Sequence, residues 1–380
     1  MLPVSNQMSD RCFASSGALA IVVAVVSLSP VSVASQSFGG GGQSPAGGPA
    51  AAKTAATKTW TPPLTPYGQP DLQGVWLNNS ATPLERPKAL EGRQFLTDDD
   101  VAELKKRAAR LFENGKSDYA GGDAAFLAAL ANLEQYKNPN TTGNSFEMIE
   151  REFDRRTSLI VDPPDGKIPP VTPAAQQRRA AAGVAARRLP EGPEDLSDAL
   201  RCITFGVPRL AGNFGPGIYG YYQILQSPGY VVLTMEAIHD ARIIPLDGRP
   251  HLRQTVRQWN GDSRGHWEGK TLVVDTTNFS PKSHLTGSFS GINNVMESTE
   301  NLHLVERLTR VAPDTINYEM TLEDPTTWTK SWTAAIRLKQ TQDKIYEFAC
   351  HEENRSMLGI LAGARSDEKA AEEAAKEGAK

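Results

Sequence analysis

The chain has 380 residues, and its 40 Lys and Arg against 44 Asp and Glu give a formal charge of −4 at neutral pH. Cations are scattered apart from "RRAAAGVAARR" at 178–188, so no basic footprint for nucleic acid is present. No Gly-rich phosphate loop, Gly-x-Ser-x-Gly elbow or His-Glu-x-x-His occurs, which leaves the common dehydrogenase and hydrolase templates without support and gives no reason to expect a cofactor.

At the N-terminus an apolar run from Ala18 to Val33 follows Arg11 and ends in small residues at Ser32, Ala34 and Ser35. This is the pattern of a secretory leader over 1–35, with Met8 an alternative start. Ser27, Ser29 and Pro30 interrupt the run, and a span needs roughly 20 apolar residues. The expectation is cleavage, no stable membrane span, and a periplasmic or secreted protein. Cys12 would leave with the leader. The remaining pair, Cys202 and Cys350, is expected to form a disulfide in an oxidising compartment; the alternative is a reactive Cys350 thiol beside His351.

Residues 36–58, rich in Gly, Ala and Pro, read as a flexible linker. A single β-rich domain is expected over 59–365, followed by a polar tail at 366–380. Its first strand candidate is "PDLQGVWLNN" at 70–79. A helical insertion at about 97–136 follows, with Thr97 as N-cap, Asp100 three residues on, and Val101, Leu104, Ala108 and Leu111 at helical spacing. "DAAFLAALANLEQY" at 123–136 predicts a second helix. "RTSLIVDPPDG" at 156–166 predicts a short strand, and the Pro/Ala/Arg-rich stretch at 162–200 a solvated connecting helix.

From Tyr221 the period changes to two. Six β segments follow, at 222–246, 271–279, 301–311, 315–324, 331–340 and 344–353, joined by short turns that include "NGDSRGHWEGK". The fold class is therefore mainly β: an antiparallel meander forming a barrel or strongly curved sheet, with a few peripheral helices. Period-two sorting puts His239 on an apolar face with Val231, Leu233 and Met235, Asp275 with Val273, and Glu306 with Leu304 and Leu308. One pocket holding His239, Asp275 and Glu306 follows, with His239 as general acid or base and Arg242 or Arg257 holding an anion near the rim. Trp259, Trp267 and Trp332 would suit a sugar or aromatic ring, or else pack the core. No two histidines share the close spacing of a metal site on one element, so no metal is expected unless separate strands assemble one.

The segments "PDLQGVW", "ATPLERP", "RRTSLIVDPPDGKIPP", "RCITFGVPR", "DSRGHWEGKTLVVDTTNFS" and "ENLHLVERLTRV" resemble a family of secreted bacterial proteins of unknown function, frequent in Acidobacteria and related soil bacteria. That resemblance implies export and a single domain, and no activity. A second resemblance, through Gly74-Val75-Trp76, is to lipocalin-like calycin barrels, in which an arginine packs on the tryptophan. Two functional readings stand: an exported enzyme using His/carboxylate acid–base chemistry on a small organic or carbohydrate substrate, as lyase, isomerase or hydrolase, and a non-catalytic lipocalin-like binder of a small ligand. The oligomeric state is open.

Overall fold

A computed structural model describes residues 60–112, 124–131, 151–185, 188–208, 220–283, 299–352 and 354–378. The leader, the linker and residues 123 and 132–136 of the predicted helix at 123–136 lie outside them. Ten strands form one antiparallel sheet: β1 (Gly74–Leu77), β2 (Ile160–Asp162), β3 (Tyr221–Ser227), β4 (Tyr230–Met235), β5 (Ala241–Pro245), β6 (Asp262–Glu268), β7 (Thr271–Thr277), β8 (His303–Ala312), β9 (Thr315–Glu323) and β10 (Trp332–Thr341). Their order is β5-β4-β3-β1-β10-β9-β8-β7-β6, with β2 paired to β10. The early strand β1 joins the two halves of the meander, with Trp76 opposite Tyr222 on one side and Gln340 on the other.

Alternation dictates what each face holds. Inward-facing Ile224, Leu233, Ile244, Val274, Leu304, Tyr318, Met320 and Leu338 are buried together with Trp76, Trp328 and Trp332 in one core. Each such side chain contributes about 1.5–3 kcal/mol on burial. Trp328 and Trp332 pack edge to face at 5.5 Å. Arg310 covers the other end of the core: its guanidinium carbon lies 5.3 Å from the centre of the Trp76 ring and 5.9 Å from that of Trp60, and Nη1 donates to the Asp71 carbonyl at 2.9 Å.

No backbone ladder joins the end strands β5 and β6 among the described residues, although their Cα atoms come within 8 Å of each other. Gly265 of β6 permits this approach, since a Cβ there would lie 2.6 Å from Leu246 Cδ2 and 2.8 Å from Ile244 Cγ2. The sequence expectation of a turn across 260–270 is thereby corrected. Gly265 sits inside a strand because the opposite strand comes too close for a side chain, and the turn is confined to Gly269-Lys270.

The helices are α1 (Asp98–Phe112), α2 (Ala124–Leu130), α3 (Pro173–Ala185) and α4 (Arg355–Gly378). The capping box that starts α1 is formed: Asp100 N–H donates to Thr97 Oγ1 at 3.1 Å and Thr97 N–H to Asp100 Oδ2 at 2.9 Å. Leu104 and Ala108 are buried with Phe126 and Phe153, and Val101 is half-buried beside them; the side chain of Leu111 lies outside the described ones. One further expectation fails. The segment at 344–352 is irregular rather than a strand, because the Cys202–Cys350 disulfide, with a Cα separation of 5.6 Å, ties it down instead of a ladder. The tail at 366–380, for which the sequence allows solvated helix or disorder, is helical as far as it is described, in a helix that runs from Arg355 to Gly378. No helix among the described residues is long and apolar enough to cross a membrane.

Candidate acid–base site

The structure does not bring His239, Asp275 and Glu306 together. After Met235 the chain leaves the sheet for a single turn, Ala237–His239, in which Ile238 and His239 adopt φ of 60° and 44°. These two left-handed residues reset the alternation. Arg242 and Ile244 then face inward, Ala241 and Ile243 outward, and His239 is exposed, with Nδ1 3.2 Å from the Phe348 carbonyl. On β7 and β8, Val274 pairs with Glu306 and Asp275 with Val305, so the two carboxylates occupy opposite faces of the sheet.

Glu306 is fully buried, as its pattern implied, but Arg242 is its partner rather than a rim group. Two guanidinium nitrogens face the Glu306 carboxylate, with Nη1 2.9 Å from Oε1 and Nη2 2.5 Å from Oε2. Nη2 also reaches Ser263 Oγ at 3.0 Å and Thr276 Oγ1 at 3.2 Å. The Tyr318 hydroxyl donates to Glu306 as well. Burial opposes the charge on Arg242 and the adjacent carboxylate more than offsets it; burial and the same negative charge push the Tyr318 phenol well up. A cavity beside this network, lined by Tyr222, Arg242, Leu308 and Tyr318, measures ≈ 10 Å³, room for about one water.

The remaining sequence candidates divide. Trp332 is completely buried and Trp267 is half-buried against the core, so both pack rather than line a ligand surface. Trp259 is half-buried. Arg257 is held at 2.7 Å by the Glu300 carbonyl and at 3.6 Å by its carboxylate, not beside Glu306. Cys202 and Cys350 are bonded to each other, which removes the Cys350 thiol as a nucleophile.

Asp275 instead organises a row of titratable groups on the outer face, at the ends of β6 to β9. Its Oδ1 lies 2.9 Å from His251 Nε2 and its Oδ2 lies 2.9 Å from His303 Nε2. His251 Nδ1 is 3.0 Å from Asp262 Oδ2, and Asp262 also accepts from the Leu252 N–H and from Arg264 Nη1. At the other end His303 Nδ1 lies 3.6 Å from Glu323 Oε2, beyond hydrogen-bond length. The order is carboxylate, imidazole, carboxylate, imidazole, carboxylate. The hydrogen bond from His303 holds Asp275 below its ordinary range, with His251 adding to it; the same bond raises His303 against the opposing effect of burial. Both ring nitrogens of His251 are hydrogen-bonded, whereas His303 is hydrogen-bonded only through Nε2 and turns Nδ1 towards the Glu323 carboxylate at 3.6 Å. A carboxylate that orients one imidazole nitrogen while the other is free to exchange a proton is the arrangement of a general acid or base.

The sequence pattern identified Asp275 and missed its partners. His251 lies in the turn after β5 and His303 at the first residue of β8, and only the cross-strand register, with His303 opposite Glu323 and Asp275 opposite Val305, places them beside it. Among the described residues no three His, Cys, Asp or Glu side chains are arranged to hold a metal ion. The chain matches no model of a known protein family and no curated protein.

Proposed function

We propose that this is an exported acid–base enzyme whose reacting group is His303 Nδ1, oriented through Nε2 by Asp275, acting at the outer face of β6–β9 on a small polar organic or carbohydrate substrate. The observation that carries the reading is the Asp275–His303 pair, whose second ring nitrogen makes no hydrogen bond shorter than 3.6 Å. His251 steadies the second oxygen of Asp275, and the Glu323 carboxylate, 3.6 Å from Nδ1, favours the protonated imidazole by its charge. Export is supported by the Cys202–Cys350 bond together with the apolar leader of the sequence. The barrel-like closure of the sheet is supported by the approach of β5 to β6, and its lipocalin-like character by Arg310 lying over Trp76. A ligand-binding barrel is the less favoured reading, because the core cavity of ≈ 10 Å³ is far below the roughly 300–1,000 Å³ of small-molecule sites.

Turnover of chromogenic nitrophenyl esters, glycosides and phosphates, measured between pH 5 and 8 for the processed protein, tests the reading. His303→Gln is expected to lower turnover by about 10²–10⁴-fold with its melting temperature little changed, and Asp275→Asn to shift the pH profile. No turnover across the panel, or full activity in His303→Gln, would count against it.

A further inference from the structure

We infer that His239 and His351 form a second site, a pair of imidazoles that binds one borderline divalent cation, Cu²⁺ above all. The two rings are exposed and their centres lie 6.3 Å apart. With metal–nitrogen bonds of about 2.0 Å, two imidazoles on one ion have ring centres about 4.5 Å apart at a right angle and about 6.3 Å apart when trans. The observed spacing fits the trans arrangement, which the tetragonal geometry of Cu²⁺ offers. Nδ1 of His239 faces the Phe348 carbonyl at 3.2 Å, and a carbonyl only accepts, so Nδ1 carries the proton and Nε2 presents a lone pair. This backbone contact to the non-ligating nitrogen is the usual outer support of a metal-bound histidine.

The frame around the pair is rigid and strained. Of the four non-glycine residues with positive φ among those described, Cys202, Ile238 and His239 are at this site. A left-handed β-branched residue such as Ile238 is uncommon and persists only where its surroundings hold it there. Ile238 is held there by burial with Ala199, Phe205 and Ala237, against which Phe348 and Cys350 pack. The disulfide then fixes Cys350, and with it His351, opposite the turn that carries His239. Imidazole nitrogen favours Cu²⁺ over the other divalent first-row ions, and with two protein ligands the remaining positions belong to water or to a small anion.

The test is a titration of the processed protein, without an affinity tag, with Cu²⁺ near neutral pH, read by electron paramagnetic resonance. One ion per chain with nitrogen splitting from two imidazoles is expected. His239→Gln and His351→Gln should each remove one nitrogen and weaken binding by at least about tenfold, the lower end of what losing even an outer partner costs. His266→Gln, at an exposed histidine paired with Glu268, should leave binding unchanged. Both side chains are exposed, so circular dichroism should be unaltered in all three variants. Absence of a stoichiometric Cu²⁺ signal, or its persistence in both His239→Gln and His351→Gln, would overturn the inference.

Discussion

Asp275 and His303 lend stability in opposite senses as pH changes. His303 is raised in the folded state above its ordinary value of 6.5. Its contribution is complete below 6.5 and is lost as pH rises through the higher folded value. Asp275 is lowered below its ordinary 3.8, so its contribution is complete above 3.8 and is lost as pH falls through the lower folded value. Both are present in full between 3.8 and 6.5. The difference in melting temperature between the protein and its Asp275→Asn variant should therefore be greatest near pH 5 and shrink towards pH 8 to 9. A constant difference across that range would show that the two groups are not coupled. The carboxylate at the centre of this row was visible in the sequence because "TLVVDTTNF" puts one charge in an apolar strand. Its imidazole partners lie 24 and 28 residues away, and no local periodicity carries that register.

At the scale of elements, alternation located nearly every strand and failed where the backbone abandoned the pleat. The stretch "TMEAIHDARI" reads as continuous period two, yet Ile238 and His239 turn left-handed and displace the phase by one residue. That single slip reverses which residues of β5 face inward and explains why His239 was misassigned and Arg242 misjudged. Strand β6 was hidden for the opposite reason, since glycine is usually a breaker and here marks a close approach. Two glycine substitutions should therefore differ in sign. Gly265→Ala forces Ile244 and Leu246 away from β6 and should cost about 1–3 kcal/mol, as overpacked cores do. Gly183→Ala, inside α3 with nothing within 4 Å of the added carbon, should stabilise by about 0.5–1 kcal/mol. Urea unfolding of the two variants separates the outcomes; equal and small effects would mean that β5 and β6 do not abut at Gly265.

For the whole molecule, the central question is what holds together a sheet whose end strands share no ladder. Arg242 leaves β5 and reaches Ser263 on β6, Thr276 on β7 and Glu306 on β8, while Tyr318 on β9 donates to the same carboxylate. One buried side chain thus spans the gap from one edge to the three strands at the other. Taking two charges out of water costs several kcal/mol per ion, so this bridge positions the end strands more than it adds net stability. Breaking it from one side leaves an unpaired buried charge: Glu306→Gln and Arg242→Met should each destabilise by about 3–5 kcal/mol. Arg242→Met with Glu306→Leu removes both charges and leaves Ser263 and Thr276 bonded to each other at 3.0 Å, with only the Tyr318 hydroxyl losing its acceptor, at about 1–3 kcal/mol. The double variant should therefore lose less than the sum of the single losses. Amide exchange supplies the structural half of the test, because β5 and β6 should lose protection first while β9 and β10, paired on both sides, keep theirs. Additive losses, with exchange quickening equally in all strands, would mean that the Arg242–Glu306 pair is an ordinary buried contact and that the edges are held by apolar packing at Gly265 alone.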